Sequence, residues 1–140
     1  MTTKETYEYV LEHAAGLELA TETLAGHTPN VRTVFFVYFP EESENTIYFT
    51  TARETNKVKE ITANANVSFT TAPIEAGTVR VTGAKAKRVN DKKPEIFAAL
   101  DKKCDSFKHL DQVARDDMNA YALTYSEAEV FSDGTEHLHF

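Results

Sequence analysis

The sequence predicts a mainly β protein, an antiparallel β-barrel with helices at its periphery. Three observations lead there. Segments rich in β-branched and aromatic residues, separated by turn residues, recur through residues 17–89. Only one short helical stretch interrupts them, so the βαβα rhythm of a doubly wound sheet is missing. The longer helical stretches flank the strand-rich region instead of alternating with it.

Residues 3–15 read as a helix, because Tyr7, Val10, Leu11 and Ala14 fall at i, i+3, i+4 and i+7 and form one apolar stripe. Gly16 is the expected stop. "LELATETL" alternates as a strand, and "AGHTPN" has turn chemistry. "VRTVFFVYF" reads as a central strand, "PEESEN" as a polar loop, and "TIYFTT" as the next strand, so residues 31–51 are expected to form a hairpin. "TNKVKEITA" is a short helix with Thr55 as candidate N-cap. "NVSFTTA" returns to strand, and "PIEAG" is a loop. "TVRVTGAKAKRV" is a long alternating strand whose interior Gly83 points to a bulge or a close approach. "DKKPEIFAALDKKC" is a helix with Pro94 in its first turns, followed by mixed helix and loop over residues 105–118. "AYALTYSEAEVF" alternates again, "SDG" is a turn, and "TEHLHF" is a final short strand.

A length of 140 residues suits one domain, residues 1–140, around a single core. Fifteen basic residues against twenty-two acidic ones leave a net charge of −7. That balance argues against nucleic acid or an anionic lipid surface as partner, while leaving room for a local basic pocket. No strand face combines aromatic and basic residues as a nucleic-acid-binding barrel would. Cys104 is the only cysteine, so there is no internal disulfide and no cysteine-based zinc site, which fits a reducing compartment. The acidic, amphipathic N-terminal stretch is not a signal peptide, and no apolar run reaches membrane-spanning length. A cytoplasmic location is the expectation.

The stretch "YFTTARETNKVKEITANANVSF" carries the chemistry. A helix N-terminus presents free backbone N–H groups and a partial positive charge, so it is suited to an anion. Lys57 falls in the first turn of that helix, and Thr50 and Thr51 end the preceding strand with two hydroxyls. Arg32, placed on the neighbouring strand of the expected hairpin, would add a fork-shaped donor. Singly, each residue has a plainer reading: Lys57 as a solvated helix lysine, the threonines as ordinary strand residues, Arg32 as a partner for a surface Glu. Together they describe a phosphate pocket on an acidic protein. His137 and His139, at i and i+2 on a strand, face one side as a metal pair would, but no third ligand accompanies them and no metal is assigned.

The order of these segments resembles the pyridoxamine 5′-phosphate oxidase-like FMN-binding split barrels, in particular their small, general-stress-protein-like members. The shared pattern is Arg32 before an apolar strand, the Phe49-Thr50 pair followed by Thr51, a polar loop, Lys57 at a helix start, then "NANVSF" and "VTGAKA". It covers residues 17–90 well and the C-terminal third loosely.

The resemblance implies an antiparallel, Greek-key-like split barrel that forms a homodimer with FMN at the subunit interface. It implies that Arg32 and Lys57 clamp the FMN phosphate, that Arg32, Thr33 and Val34 line the flavin, and that Thr50, Thr51, Asn56 and Lys57 hold phosphate and ribityl. Asn56 stands where the family often has a basic or hydroxyl residue. Thr78 falls near the position from which the oxidase's second subunit reaches the flavin with a Gln, so the chain departs from the pattern there. The oxidase itself is a poor match, because its Arg-x-His substrate motif and Trp-rich C-terminus are missing; "TEHLHF" has the His residues without the Arg, and the chain has no Trp.

Two functional readings follow. One is an FMN-dependent oxidoreductase acting on a small molecule, with no obvious protein acid or base. The other is a non-catalytic module of the same fold for flavin or haem in a stress response; deazaflavin users also share the fold.

Overall fold

The computed structural model describes residues 1–140. The elements run α1 (Thr3–His13), β1 (Gly16–Glu22), β2 (Pro29–Phe35), β3 (Val37–Tyr38), β4 (Thr46–Ala52), α2 (Asn56–Ala63), β5 (Asn66–Thr71), β6 (Thr78–Arg88), α3 (Lys93–Lys103), α4 (Gln112–Asp116), β7 (Met118–Thr124), β8 (Glu127–Phe131) and β9 (Thr135–His139). Short 3₁₀ turns precede α3 and α4 at Asn90–Lys92 and Asp105–His109.

All pairings between strands are antiparallel. The order is β2-β1-β5-β6-β7-β4-β3, with β8 on β6 and β9 on β8. β6 can have two partners on one side because it bends. At its middle two residues stand opposite Ser68, Gly83 takes φ +78°, and its N–H donates to the Ser68 hydroxyl. A left-handed backbone with one extra residue is the geometry of a bulge that glycine permits. Before the bulge β6 pairs with β8, and after it with β7.

The run 31–39 departs from expectation. It is not one central strand, and residues 31–51 are not one hairpin. β2 is an edge strand hydrogen-bonded to β1, whereas β3, one residue further on, pairs with β4 at the opposite end of the sheet. The chain therefore crosses from one sheet edge to the other at Phe36, and this closes the barrel. A second correction is that "AYALTYSEAEVF" divides at Tyr125 and Ser126 into β7 and β8. Gly16 opens β1 instead of ending α1, whose C-cap is Ala14. There the backbone is packed close, since a Cβ on Gly16 would lie 3.1 Å from the Val34 carbonyl oxygen.

Two apolar cores result. The larger fills the barrel and the underside of α1, with Tyr7, Leu11, Leu17, Leu19, Phe49 and Leu123 among its members. The smaller lies outside the barrel wall, where Val37, Tyr48, Ala120 and Ala122 pack against Ile96, Phe97, Leu100 and Phe107. β4 serves both cores, which is why its residues 46–51 are buried on both faces. Buried Cys104 belongs to the outer core. α1 starts with a Thr2–Glu5 capping box and docks through the Tyr7 hydroxyl, which donates to the Glu44 carbonyl at 2.6 Å and contacts the Tyr125 hydroxyl at 2.7 Å.

The crossing point is held from α3. Lys103 Nζ donates to the Phe36 carbonyl at 2.9 Å and the Leu11 carbonyl at 3.2 Å, and lies 3.7 Å from the Phe36 ring centroid. Its burial pushes its pKa down to about 8. Leu11 is in the last turn of α1, where carbonyls lack helical partners, so one ammonium serves two otherwise orphaned buried acceptors. Lys103→Met should cost about 2 kcal/mol, at roughly 1 kcal/mol for each carbonyl left unpaired. The thermal midpoint should fall by about 5 to 8 °C in calorimetry.

Candidate functional site

Because the chain crosses at Phe36, β2 and β4 run side by side without pairing. A cavity of about 460 Å³ opens along this seam. One wall is Thr33, Val34 and Phe35 of β2, and the other is Thr50, Thr51 and Ala52 of β4. Thr55 and Lys57 close one end, and Phe107, Leu110 and Met118 add an apolar side, with Ser106 next to them. The size suits a small ligand or cofactor. β2 spends one backbone edge on β1, so the backbone groups of its other edge are free to meet a ligand.

The start of α2 is open. Thr55 occupies the N-cap with extended backbone, but its hydroxyl donates to the Ala52 carbonyl and caps no helix N–H. No acidic residue sits in the first turn. The N–H groups of Asn56, Lys57 and Val58 thus have no earlier helical acceptor. Lys57 is half-buried, and its Nζ donates to Thr51 Oγ1 at 2.8 Å. Burial first, and the Arg32 charge second, hold its pKa below the usual lysine value. An ammonium has three donors, so Lys57 keeps capacity for an anion. Thr50 is 9% exposed, and its hydroxyl is buried with no hydrogen-bond partner in the chain.

Five of the eight residues singled out from the sequence therefore line one cavity: Thr33, Val34, Thr50, Thr51 and Lys57. The other three do not. Asn56 is exposed beside the helix start. Thr78 is half-buried at the beginning of β6, opposite Phe131. Arg32 points to the inner side of β2, and it does not neighbour β4 through a hairpin as expected. Its Nη1 donates to Thr21 Oγ1 at 2.6 Å and the Leu19 carbonyl at 3.2 Å, and its Nη2 to Glu60 Oε1 at 2.9 Å.

Glu60 and Thr21 escaped the sequence reading. Glu60 lies on α2 one turn after Lys57, and Thr21 donates to its Oε1 at 2.6 Å. The Thr21 hydroxyl, and then Arg32, hold the Glu60 carboxyl below the usual value. The available signal was Thr21 on the same alternation as Leu17 and Leu19. An inward polar side chain calls for a partner.

The apolar side of the cavity is fixed from behind by Arg115. It meets the Asp101 carboxylate through two bonds of 2.7 and 2.9 Å, and also the carbonyls of Phe107 and Leu110. His137 and His139 lie far along the chain on β9, opposite Glu129 and Glu127. His139 Nδ1 is 3.4 Å from the Glu127 carboxylate. No group of three metal-ligating side chains gathers anywhere in the structure. No helix is long and apolar enough to cross a membrane.

Comparison with known proteins agrees with this geometry. The family model described as pyridoxamine 5′-phosphate oxidase matches residues 3–130. No match was found among curated proteins. Among solved structures, general stress protein 26 from Bacillus anthracis str. Sterne aligns with a TM-score of 0.75 at 16% identity, covering 100% of both chains. An F420 reductase aligns at 0.64 and 20% identity, covering 84% of this chain and 91% of that one. A heme binding protein from Mycobacterium smegmatis aligns at 0.77 and 14% identity, covering 99% of this chain and 58% of that one. Likeness at these identities is one of fold.

In an NMR titration of the ligand-free protein, the Lys57 ammonium should lose its proton below the usual lysine value. A titration at or above that value would contradict the half-buried placement.

Proposed function

The chain belongs to the pyridoxamine 5′-phosphate oxidase family, and from that premise we propose that it binds FMN in the seam cavity and acts as a flavin-dependent oxidoreductase on a small molecule. The observation that carries the reading is the pairing of a half-buried Lys57 ammonium with an uncapped helix start, both at one end of a cavity whose walls are otherwise neutral. Such an end suits a phosphate. The orphaned hydroxyl of Thr50 beside the same cavity supports a polar ligand there.

Bound FMN supplies the hydride and electron chemistry. The chain's own residues bind and orient it. Lys57 and the first-turn N–H groups, that of Asn56 included, hold the phosphate. Thr50 and Thr51 offer hydroxyls to phosphate and ribityl oxygens. Thr33 and Val34 present an edge-strand backbone to the flat ring, while Phe107, Leu110 and Met118 keep water from the remaining side. No Asp, Glu, His or Cys lines the cavity, so the chain contributes binding and orientation there. The same observation favours a second reading, a non-catalytic flavin module. Haem and deazaflavin remain the alternative occupants, and the absorption spectrum of the purified protein separates them.

A homodimer belongs to the proposal. Val31 and Phe35 project from the outward face of edge strand β2 and are 64% and 41% exposed. A second copy would cover them, complete the cavity and bring in its own Thr78. Cys104 as a buried thiol fits a cytoplasmic setting.

Titration with FMN and riboflavin tests the phosphate end. FMN should bind much more tightly. Lys57→Ala should weaken FMN roughly tenfold to a hundredfold, the equivalent of losing about 1.5 to 3 kcal/mol from a charged hydrogen bond, and should leave riboflavin nearly unchanged. Equal affinity for the two ligands would sink the reading. Light scattering at micromolar concentration should give twice the chain mass.

A further inference from the structure

We propose that Arg32 serves this site through Glu60, as the residue that pins α2 across the seam, and does not touch the cofactor's phosphate. The inference rests on the cofactor reading above and assigns Arg32, Glu60 and Thr21 as positioning residues.

The guanidinium is already engaged. Its two terminal nitrogens meet three acceptors, on β1 and α2, at 2.6 to 3.2 Å. Glu60 and Thr21 are 5% and 3% exposed, and Thr21 bonds the same carboxylate oxygen that Arg32 does. Swinging the guanidinium towards a phosphate would leave the Glu60 carboxylate buried with only the uncharged Thr21 and Asn30 side chains for company. Removing one partner of a buried ion pair is the costly way to disturb it.

The pair also lies where a mechanical link is needed. β2 and β4 do not pair, so no backbone hydrogen bond spans the seam beside the cavity. α2 spans it with two side chains three residues apart. Glu60 reaches Arg32 and Thr21 on β2 and β1, and Lys57 reaches Thr51 on β4. Neighbouring turns of one helix are thereby tied to opposite walls. Arg32 and Glu60 neutralise each other, which leaves Lys57 as the net positive charge facing the cavity. The direction of the helix start, and the reach of Lys57, then depend on the Glu60 tie.

The test uses wild type, Arg32→Gln, Glu60→Gln and the double variant. FMN titration should show both single variants weakened by roughly tenfold, and the double no weaker than the worse single, because the two residues act as one unit. In the ligand-free protein, amide hydrogen exchange in α2 should accelerate in both single variants while β4 and β7 keep their protection. A Glu60→Gln protein that binds FMN as well as wild type or better, beside a weakened Arg32→Gln, would overturn the proposal and return the guanidinium to the phosphate. Unchanged affinity in all variants, or a double variant weakened by the product of the single effects, would overturn it too. If Arg32→Gln fails to fold, the isosteric Glu60→Gln decides by the same two readouts. If wild type binds no FMN, the cofactor reading falls by itself, and α2 exchange alone judges the pinning: faster in both variants supports it, unchanged refutes it.

Discussion

The structure depends on a seam that backbone hydrogen bonds do not close. A sheet whose two ends meet must either pair them or bridge them with something else, because free strand edges are otherwise exposed. Here the chain crosses from end to end at Phe36, pairs β3 with β4 on one side of the crossing, and leaves β2 beside β4 unpaired on the other. The unpaired stretch becomes the cavity. Lys103 fixes the crossing through the Phe36 carbonyl and ring, and α2 ties the two walls beyond it. The site is thus a consequence of how the barrel closes, not an addition to it.

This arrangement accounts for four of the eight buried polar residues. Thr21, Thr50, Thr51 and Glu60 are all close to solvent-free: Thr50 and Thr51 sit along the seam, Glu60 is on the helix that spans it, and Thr21 meets Glu60 from β1. Buried polar groups need partners. Three of them find one inside the chain: Thr21 and Glu60 with Arg32, and Thr51 with Lys57. Thr50 does not, although like Thr51 it lines the cavity. Elsewhere the buried hydroxyls of Tyr7 and Tyr125 satisfy each other, with the Glu44 carbonyl as a third member. That contact anchors α1 without involving the site.

Much of this was legible in the sequence, and the failures have a common cause. β5, β6 and the β8–β9 hairpin follow from period-2 alternation and turn residues, and the Gly83 bulge from a glycine inside a strand. Lys57 at a helix start after a Thr pair is a local pattern, and it led to the cavity. The break at Phe36 was hidden because "VRTVFFVYF" is apolar and aromatic without interruption from Val34 to Phe39 and offers no turn residue; a partner far along the chain, Lys103, makes the crossing possible. Arg32 was placed on the right strand but given the wrong neighbour. Its partner Glu60 comes from a helix 28 residues away, and neither residue alone signals the other. Contacts between distant elements are what periodicity does not carry.

A structure of the protein crystallised with FMN tests the central claim most directly. The account predicts the flavin in the seam between residues 33–35 and 50–52, its phosphate hydrogen-bonded to Lys57 and the first turn of α2, with the Arg32–Glu60 pair intact. Flavin bound elsewhere, such as the groove between α3 and α4, or a phosphate turned away from Lys57, would contradict it.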